Sequence, residues 1–347
     1  MLKEYIKDKG SFIIAEVGQN HQGDVKIAKE YIREFSNLGA DAVKFQIRNN
    51  KQLFSKEAYE SLYNSENSFG ATYGEHREKL ELNLEEVKSL KDECEKNNVK
   101  FISTPFDESS LDVLISLNVD AIKIASFDLG NLPFINRIAK TKKPVIISTG
   151  GGNLNQINDS IEILKQHKCE VTILHCVSEY PCPYDRLGLN QIQFLSKKFP
   201  DCIIGSSDHF NGTLSGPIAY MLGARVFEKH VTFNHSWKGT DHNFALEPYG
   251  FKKFSRDINR VEKMLNPKSK EDLGKEPVFN KLGKSLIANK LIKKGETLDF
   301  ENLSGKIFKE NYVPVRESNA FIGRKVNCDI TAGEPILLKH IESDGKF

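Results

Sequence analysis

The sequence has no long apolar run, no paired-cysteine motif and no surplus of charge of one sign, and each absence removes a class of function. None of its hydrophobic stretches approaches the ~20 consecutive apolar residues of a membrane-spanning helix. The N-terminal Met1-Leu2-Lys3-Glu4-Tyr5 becomes charged at once and has no apolar signal stretch. No membrane partner is expected. The 6 cysteines form neither a C-x-x-C pair nor a metal-finger spacing. Several lie in strand-like runs, as Cys202 does beside Ile203 and Ile204, which suits buried free thiols in a reducing, cytoplasmic compartment. The 49 basic and 47 acidic residues are interspersed, so the formal charge of +2 gives no basic footprint and no nucleic-acid partner. Gly18-Gln-Asn-His-Gln-Gly23 lacks the G-x-G-x-x-G spacing that opens many doubly wound nucleotide folds.

What is present, over 347 residues, is the composition of an ordinary globular protein, 39% hydrophobic and 28% charged, with 24 Gly and 12 Pro. Short apolar runs at 12–16, 42–46, 101–104, 121–125, 145–149, 171–175, 202–206 and 225–230 alternate with amphipathic segments. Those segments span 25–38, 84–97, 108–117, 131–141, 154–167, 188–198, 212–222 and 250–265. Regular strand–helix alternation predicts a parallel sheet. Eight such units match the size of a (β/α)8 TIM barrel, typically ~250 residues. The expected organisation is a barrel over 1–265, a polar linker over 266–281 and a small β-rich domain over 282–347. In the last, Ile292-Lys-Lys-Gly295-Glu296-Thr-Leu298 recurs as Ile330-Thr-Ala-Gly333-Glu334-Pro-Ile336, which predicts a pseudo-symmetric β fold.

Each run is apolar at its start and polar at its C-terminal end. The polar ends are Glu16; Lys44 and Gln46; Ser103 and Thr104; Lys123 and Ser126; Ser148 and Thr149; His175; Ser206 to His209; and Glu228 to His230. In a TIM barrel these ends converge on the catalytic mouth. Side chains alternate across a strand, so Lys44 shares a face with Gln46 and Glu228 with His230, whereas Lys229 is expected to point outward. Lys44 and Glu228 interrupt apolar strands and need buried partners. His209 and His230 end successive strands and are candidates to share a divalent ion. The lysines and hydroxyls suit a phosphate-bearing anion, and Glu16 is the candidate proton shuttle.

The residues also carry a family resemblance. Phe12-Ile-Ile-Ala-Glu16-Val-Gly-Gln-Asn20-His21-Gln-Gly23, Ala40-Asp-Ala-Val-Lys44-Phe-Gln46, Ser103-Thr-Pro-Phe106 and Ser207-Asp-His209 resemble the sialic acid synthase family. So do Leu222-Gly-Ala-Arg-Val-Phe-Glu228-Lys-His230 and Gly239-Thr-Asp241-His-Asn-Phe-Ala-Leu-Glu-Pro248. The resemblance runs through the whole chain and includes a C-terminal antifreeze-like (SAF) domain. It implies condensation of phosphoenolpyruvate with an N-acylated amino sugar aldehyde, usually N-acetylmannosamine, to a nine-carbon 2-keto acid and phosphate. By matching motif, Lys44, Gln46, Thr104, Lys123, Ser126, Ser148 and Ser207 would hold phosphoenolpyruvate. His209 and His230 would ligate Mn2+, with Mg2+ or another divalent metal in its place. Glu16 would be the acid/base, and Tyr180, Glu228 and Asp241 would lie near the sugar. The resemblance also implies a domain-swapped homodimer.

The match has departures. Where many bacterial members carry Lys-Arg-Pro in the SAF domain, this chain has Lys306-Ile307-Phe308, without the arginine. Phe127 replaces the family's usual glycine between Ser126 and Asp128. The stretch Gly70-Ala-Thr-Tyr73-Gly-Glu-His76-Arg77, with Trp237-Lys238, looks more like animal-type synthases acting on the sugar 6-phosphate. His76, Arg77 and Lys238 read either as ligands of that phosphate or as a solvated helix edge and a loop lysine. The rival functions are a synthase of legionaminic or pseudaminic acid, a Schiff-base aldolase using Lys123 or Lys44, and a non-catalytic sugar-binding protein.

Overall fold

The computed structural model describes residues 2–342. Eight parallel strands, β1 (Phe12–Gly18), β2 (Ala42–Ile47), β3 (Lys100–Pro105), β4 (Ala121–Ile124), β5 (Val145–Ser148), β6 (Val171–Cys176), β7 (Ile203–Ser207) and β8 (Val226–His230), close into a barrel in sequence order. The β1–β8 pairing seals it, with Glu16 in register with His230. These are the eight runs read from the sequence, with ends moved by one or two residues.

The period of two sorts the side chains. On β1, Ile13, Ala15 and Val17 point outward and join the large core between barrel and helices. Phe12 and Ile14 point inward and pack with Ala42, Ile102, Ala121, Ile146, Leu174 and Val226 in the barrel interior. A helix over Leu2–Lys9 packs on this interior cluster, with Leu2 buried and Tyr5 and Ile6 against it. The sequence reading missed that helix, because its other five residues are charged and only three apolar side chains mark its face. It is tied down by Tyr5 and Lys9, which both bond one oxygen of Asp41, while the other accepts the Ile13 N–H at 2.8 Å.

The surrounding helices start where side-chain acceptors cap free N–H groups. Asp24 caps Val25–Asn37, and Asn83 and Asn153 form capping boxes with Glu86 and Gln156. Between β2 and β3 the chain makes three further short helices, Asn50–Leu53, Lys56–Glu60 and Tyr73–Glu78. This long excursion brings Asn67 and Arg77 to the barrel mouth. Among the described residues no helix is long and apolar enough to cross a membrane.

The chain divides after Leu265 into two compact units. In the second, β9 (Ser285–Ala288) pairs antiparallel with β10 (Leu303–Lys306). A short helix, Val278–Leu282, begins after Pro277 within the stretch whose sequence reads as linker. The internal near-repeat is a structural duplication. Ile292 and Ile330 exchange both backbone hydrogen bonds, at 2.9 and 2.8 Å. Gly295 N–H donates to Val326 while its counterpart Gly333 donates to Ala288, at 2.7 and 2.8 Å. Both glycines have positive φ, 84° and 86°, the conformation each turn needs and glycine adopts at no steric cost.

Candidate active site

At the C-terminal ends of the strands the barrel interior changes from apolar to ionised within two residues. Ile14 gives way to Glu16, Ala42 to Lys44, Ala121 to Lys123 and Val226 to Glu228. Their strands place Glu16 beside Lys44 and Ser207 beside Glu228 in register. The Lys44 ammonium lies 2.7 Å from Glu16 Oε2, 3.7 Å from Glu228 Oε2 and 3.3 Å from Thr104 Oγ1. All three charged side chains are nearly shut off from solvent, at 3%, 1% and 6% exposure. Burial alone would push the Lys44 ammonium down, but Glu16 and Glu228 outweigh it and hold it above the ordinary lysine range. Burial would push the Glu228 carboxyl up; Lys44 and Lys123 more than offset this and keep it below the usual carboxylate range. Lys123, whose ammonium donates to Ile124 O at 2.9 Å, is drawn down by burial, with Glu228 resisting.

Gln46 continues the inward face of β2, and its amide N–H donates to Glu16 Oε1 at 2.8 Å. The cluster opens into a cavity of about 510 Å3 lined by the mouth residues of the strands and by side chains of the following loops. Four buried polar atoms around it have no hydrogen-bond partner: Ser148 Oγ, His230 Nδ1, and Glu16 Oε2 and Glu228 Oε2, which meet only the charge of Lys44. Leaving such atoms unmet costs roughly 1–3 kcal/mol each, so their natural partner is a ligand.

His209 and His230 stand side by side, with ring centroids 5.4 Å apart, and Phe244 packs against both. His209 Nδ1 lies 2.7 Å from Val177 O, and a carbonyl only accepts, so the proton sits on Nδ1. Burial, with the charge of His230, pushes this imidazole down to about 4; it is neutral at pH 7 and Nε2 keeps its lone pair. A bond from the other ring nitrogen to a carbonyl is the usual way a ligating histidine is oriented. Asp241 Oδ2 lies 3.7 Å from His230 Nδ1. Among the described residues no three His, Cys, Asp or Glu side chains are grouped as a ready ligand set. The neutral His209 imidazole and the neighbouring His230 ring, whose Nδ1 is buried and unmet, fit a divalent ion that keeps some of its waters.

The comparisons with known proteins decide what kind of barrel this is: residues 31–270 match the NeuB family. The chain belongs to the NeuB family. It is 35% identical to the N-acetylneuraminate-9-phosphate synthase of Mus musculus, over 96% of this chain and 94% of that one. It is 37% identical to the N,N'-diacetyllegionaminic acid synthase of Campylobacter jejuni, over 86% of this chain and 90% of the other. Among solved structures it resembles the N-acetylneuraminic acid (sialic acid) synthetase of Leptospira borgpetersenii, with TM-score 0.67 and 31% identity, covering 78% of this chain and 92% of that one. NeuB-family membership makes it an enzyme, a synthase of the transferase class.

The residues to which the family resemblance gives roles all line this one cavity: Glu16, Lys44, Gln46, Thr104, Lys123, Ser126, Ser148, Tyr180, Ser207, His209, Glu228, His230 and Asp241. They are not equivalent within it. Glu228, expected near the sugar, belongs to the inner charge cluster with Lys44 and Ser207, whose hydroxyl donates to it at 3.0 Å. Tyr180 packs on His209 at 3.9 Å between ring centroids.

Other expectations change. His175 ends its run in the sequence, but β6 extends to Cys176, and it is Cys176 that lines the main cavity. His175 instead turns to Leu187 O, at 2.7 Å. Lys229 does face away from the barrel interior, yet it is 1% exposed and bonds Asp208 and Phe210 O. His76 is no phosphate ligand. It is buried among Tyr63, Phe69 and Tyr73, accepts the Phe69 N–H at 3.2 Å, and is pushed by burial to about 4, hence uncharged. Lys238 sits over the Phe69 ring at 4.9 Å. Of the three only Arg77 lines the cavity. The reading also missed Arg48, which lines the cavity beside Gln46; the alternation that pairs residues 44 and 46 would have found it one step further on.

Proposed function

We propose that this enzyme condenses phosphoenolpyruvate with an N-acylated amino sugar aldehyde, N-acetylmannosamine or its 6-phosphate. The products are N-acetylneuraminate or its 9-phosphate, and inorganic phosphate. The observation that carries the reading is the ionised layer at the mouth, Glu16–Lys44–Glu228 with Lys123, in a member of the NeuB family. A phosphate-bearing enolate precursor brings several negative charges into a closed site, and two buried ammonium groups with hydroxyls around them are the matching host. Lys44, Lys123, Gln46, Thr104, Ser126, Ser148 and Ser207 fill that role. Ser148 Oγ, buried without a partner, gains one when phosphoenolpyruvate binds.

His209 and His230 would hold Mn2+, or Mg2+ or another divalent metal, and Tyr180 and Asp241 border the sugar end. When bound, such an ion supplies Lewis acidity for a sugar carbonyl. Carbon 3 of phosphoenolpyruvate forms the new bond to the aldehyde carbon, whose oxygen gains a proton and becomes a hydroxyl. Water adds at carbon 2, and Glu16, oriented by Lys44 and Gln46, takes its proton. The tetrahedral carbon then expels phosphate by C–O cleavage, leaving the 2-keto acid. Lys44 and Lys123 stabilise the charge that grows on the departing phosphate.

The C-terminal residues 282–347 are proposed as the family's antifreeze-like domain, exchanged within a homodimer. A monomer of full activity by light scattering would contradict the exchange. Free, mostly buried cysteines support a cytoplasmic setting. The second reading, a related nonulosonic acid made from a diamino-dideoxy sugar, is favoured by the 37% identity to a legionaminic acid synthase. The test is phosphate release from phosphoenolpyruvate with manganese across this sugar panel. Release that EDTA abolishes is the expected outcome, and the active sugar chooses between the two readings. Silence with every sugar would contradict both.

A further inference from the structure

A second groove, of about 510 Å3, lies between the end of β2, the start of the helix Leu84–Lys96 and the helix Glu108–Ser116. Ile47, Leu82, Val87 and Val113 give it apolar walls, and Arg48 is the one lining residue it shares with the main cavity. Asn50, the first residue of the helix Asn50–Leu53, also lines this groove and is 2% exposed. Neither its amide nitrogen nor its amide oxygen has a hydrogen-bond partner, and both are buried. Among the described residues it is the one side chain with two buried polar atoms unmet.

The polar neighbours are engaged elsewhere. Asp107 accepts from the Ser109 and Ser110 hydroxyls, each at 2.7 Å, from the Ser110 N–H at 2.8 Å and from the Asn49 N–H at 2.6 Å. Glu81 accepts the Arg48 N–H at 3.1 Å, the Arg48 guanidinium and the Gln19 amide. Residues 48 and 49 are thus pinned through their backbone N–H groups, which holds Asn50 at the groove. A buried amide with nothing paired is costly, and its chemistry specifies what would meet it. The N–H and C=O of a side-chain amide lie side by side, so one partner satisfies both only by offering an acceptor beside a donor. Primary carboxamides and nucleobase edges have that arrangement, as in the paired bonds of asparagine with adenine. A trans secondary amide lacks it, because its N–H and C=O point in opposite directions. The apolar walls suit the faces of a flat ring. Glu78 and Glu81 set against Arg48 give an anion no net attraction, so the fitting ligand is neutral. The volume falls within the roughly 300–1,000 Å3 of small-molecule pockets.

We propose that this groove is a second small-molecule site, in which Asn50 reads a neutral, flat ligand through a paired donor–acceptor edge of the carboxamide or nucleobase kind. Asn50 is the recognition group, and Ile47, Leu82, Val87 and Val113 hold the body of the ligand. The site is separate from the proposed condensation and stands or falls without it.

The test is saturation-transfer NMR on the full chain with nicotinamide, which presents a carboxamide, and adenosine, which presents a base edge. At least one is expected to bind with a Kd of about 1 mM or tighter, and the one that binds identifies the source of the edge. Each has a control that keeps the ring and loses the paired edge: nicotinamide methylated on its amide nitrogen, and purine riboside, which has no amino group. The control of the probe that binds should bind at least about tenfold more weakly. Asn50→Leu keeps the size of the side chain and removes both polar atoms. It is expected to weaken binding at least about tenfold while the melting temperature holds or rises, because an unmet buried amide has become an apolar group. Val113→Phe fills the groove from the helix Glu108–Ser116 with Asn50 intact and is expected to abolish binding, so the test survives a poorly folded first variant. Binding of neither probe would overturn the site, as would a control that binds as tightly as its parent. So would binding undiminished in the folded variants.

Discussion

The two units of the chain treat buried polar groups in opposite ways. The second unit has a small core of Leu286, Ala288, Ile292, Leu298, Phe321, Val326, Ile330, Ile336 and Ile341, and its only fully buried polar residues among those described are Ser285 and Asn302. Both of these are hydrogen-bonded. The barrel unit buries an ammonium between two carboxylates, a second ammonium, and two facing imidazoles. Every buried polar side-chain atom lacking a partner among the described residues also lies there. Unmet polar atoms are costly, and those of Glu16, Ser148, Glu228 and His230 gather at the barrel's main cavity, while the other unit is built for self-sufficiency.

This contrast breaks most visibly at Lys44. Replacing it in Lys44→Met leaves Glu16 and Glu228 buried against each other without their shared cation. The expected loss is about 3–5 kcal/mol in denaturant unfolding of the barrel, together with all phosphate release. An undiminished midpoint would show that the two carboxylates do not depend on the shared cation.

A smaller effect is expected behind the histidines. Lys229 bonds Asp208 and Phe210 O, and so ties the residues flanking His209 to the strand that carries His230. Lys229→Met should weaken manganese binding by about 10–100-fold, as losing the groups that hold metal-binding residues in place does. Manganese titration by electron paramagnetic resonance reads this without turnover. The double variant Asp208→Leu/Lys229→Met removes the stranded carboxylate, and its metal affinity should stay low even if its stability recovers.

Acid should also separate the units. Burial pushes His21, His76 and His242 down to about 4 in the folded barrel, whereas an unfolded histidine titrates near the ordinary 6.5. Between those values the unfolded chain binds more protons, so stability falls as pH drops from 6.5 to about 4. The barrel's melting temperature should therefore drop over that window. The second unit, with His340 as its one histidine, should respond less.

The smallest test sharpens the symmetry of the second unit. Gly295 and Gly333 have matching positive φ, and an added Cβ would meet nothing within 4 Å at either. Alanine at each should cost only the backbone strain, about 1–2 kcal/mol, and the same amount at both. Unequal costs would show that the two turns are not energetically equivalent.

Much of this was legible in the sequence, and what was not has physical causes. Barrel strands alternate, and a charge in an apolar strand demands a partner; that was enough to bring Lys44, Gln46, Glu228 and His230 to one mouth. At His175 and Cys176 the alternation was not carried through: Leu174 faces inward, so Cys176 does too and His175 does not. Arg48 went unseen because the run was read as ending at Gln46, two residues short of it. His76 and Arg77 are adjacent in sequence and opposite in fate. Three aromatic rings bury one, and a tyrosine and a glutamine hold the other toward the cavity. Apart from Gln19, which follows β1, those neighbours come from the long excursion after β2, whose path no local periodicity describes. Lys229 shows a further limit, since alternation gives a direction and says nothing of the carboxylate waiting there.

The most direct measurement is Glu16→Gln, followed in parallel by calorimetric binding of phosphoenolpyruvate and by phosphate release with the active sugar. Glutamine keeps the shape and the Gln46 contact region but cannot take a proton. If the ionised layer at the mouth carries the chemistry, phosphoenolpyruvate still binds and release falls by at least about a thousandfold, within the range for losing a general acid–base group. Release at the wild-type rate would contradict the assignment of Glu16, and with it the claim that this layer is where the reaction takes place.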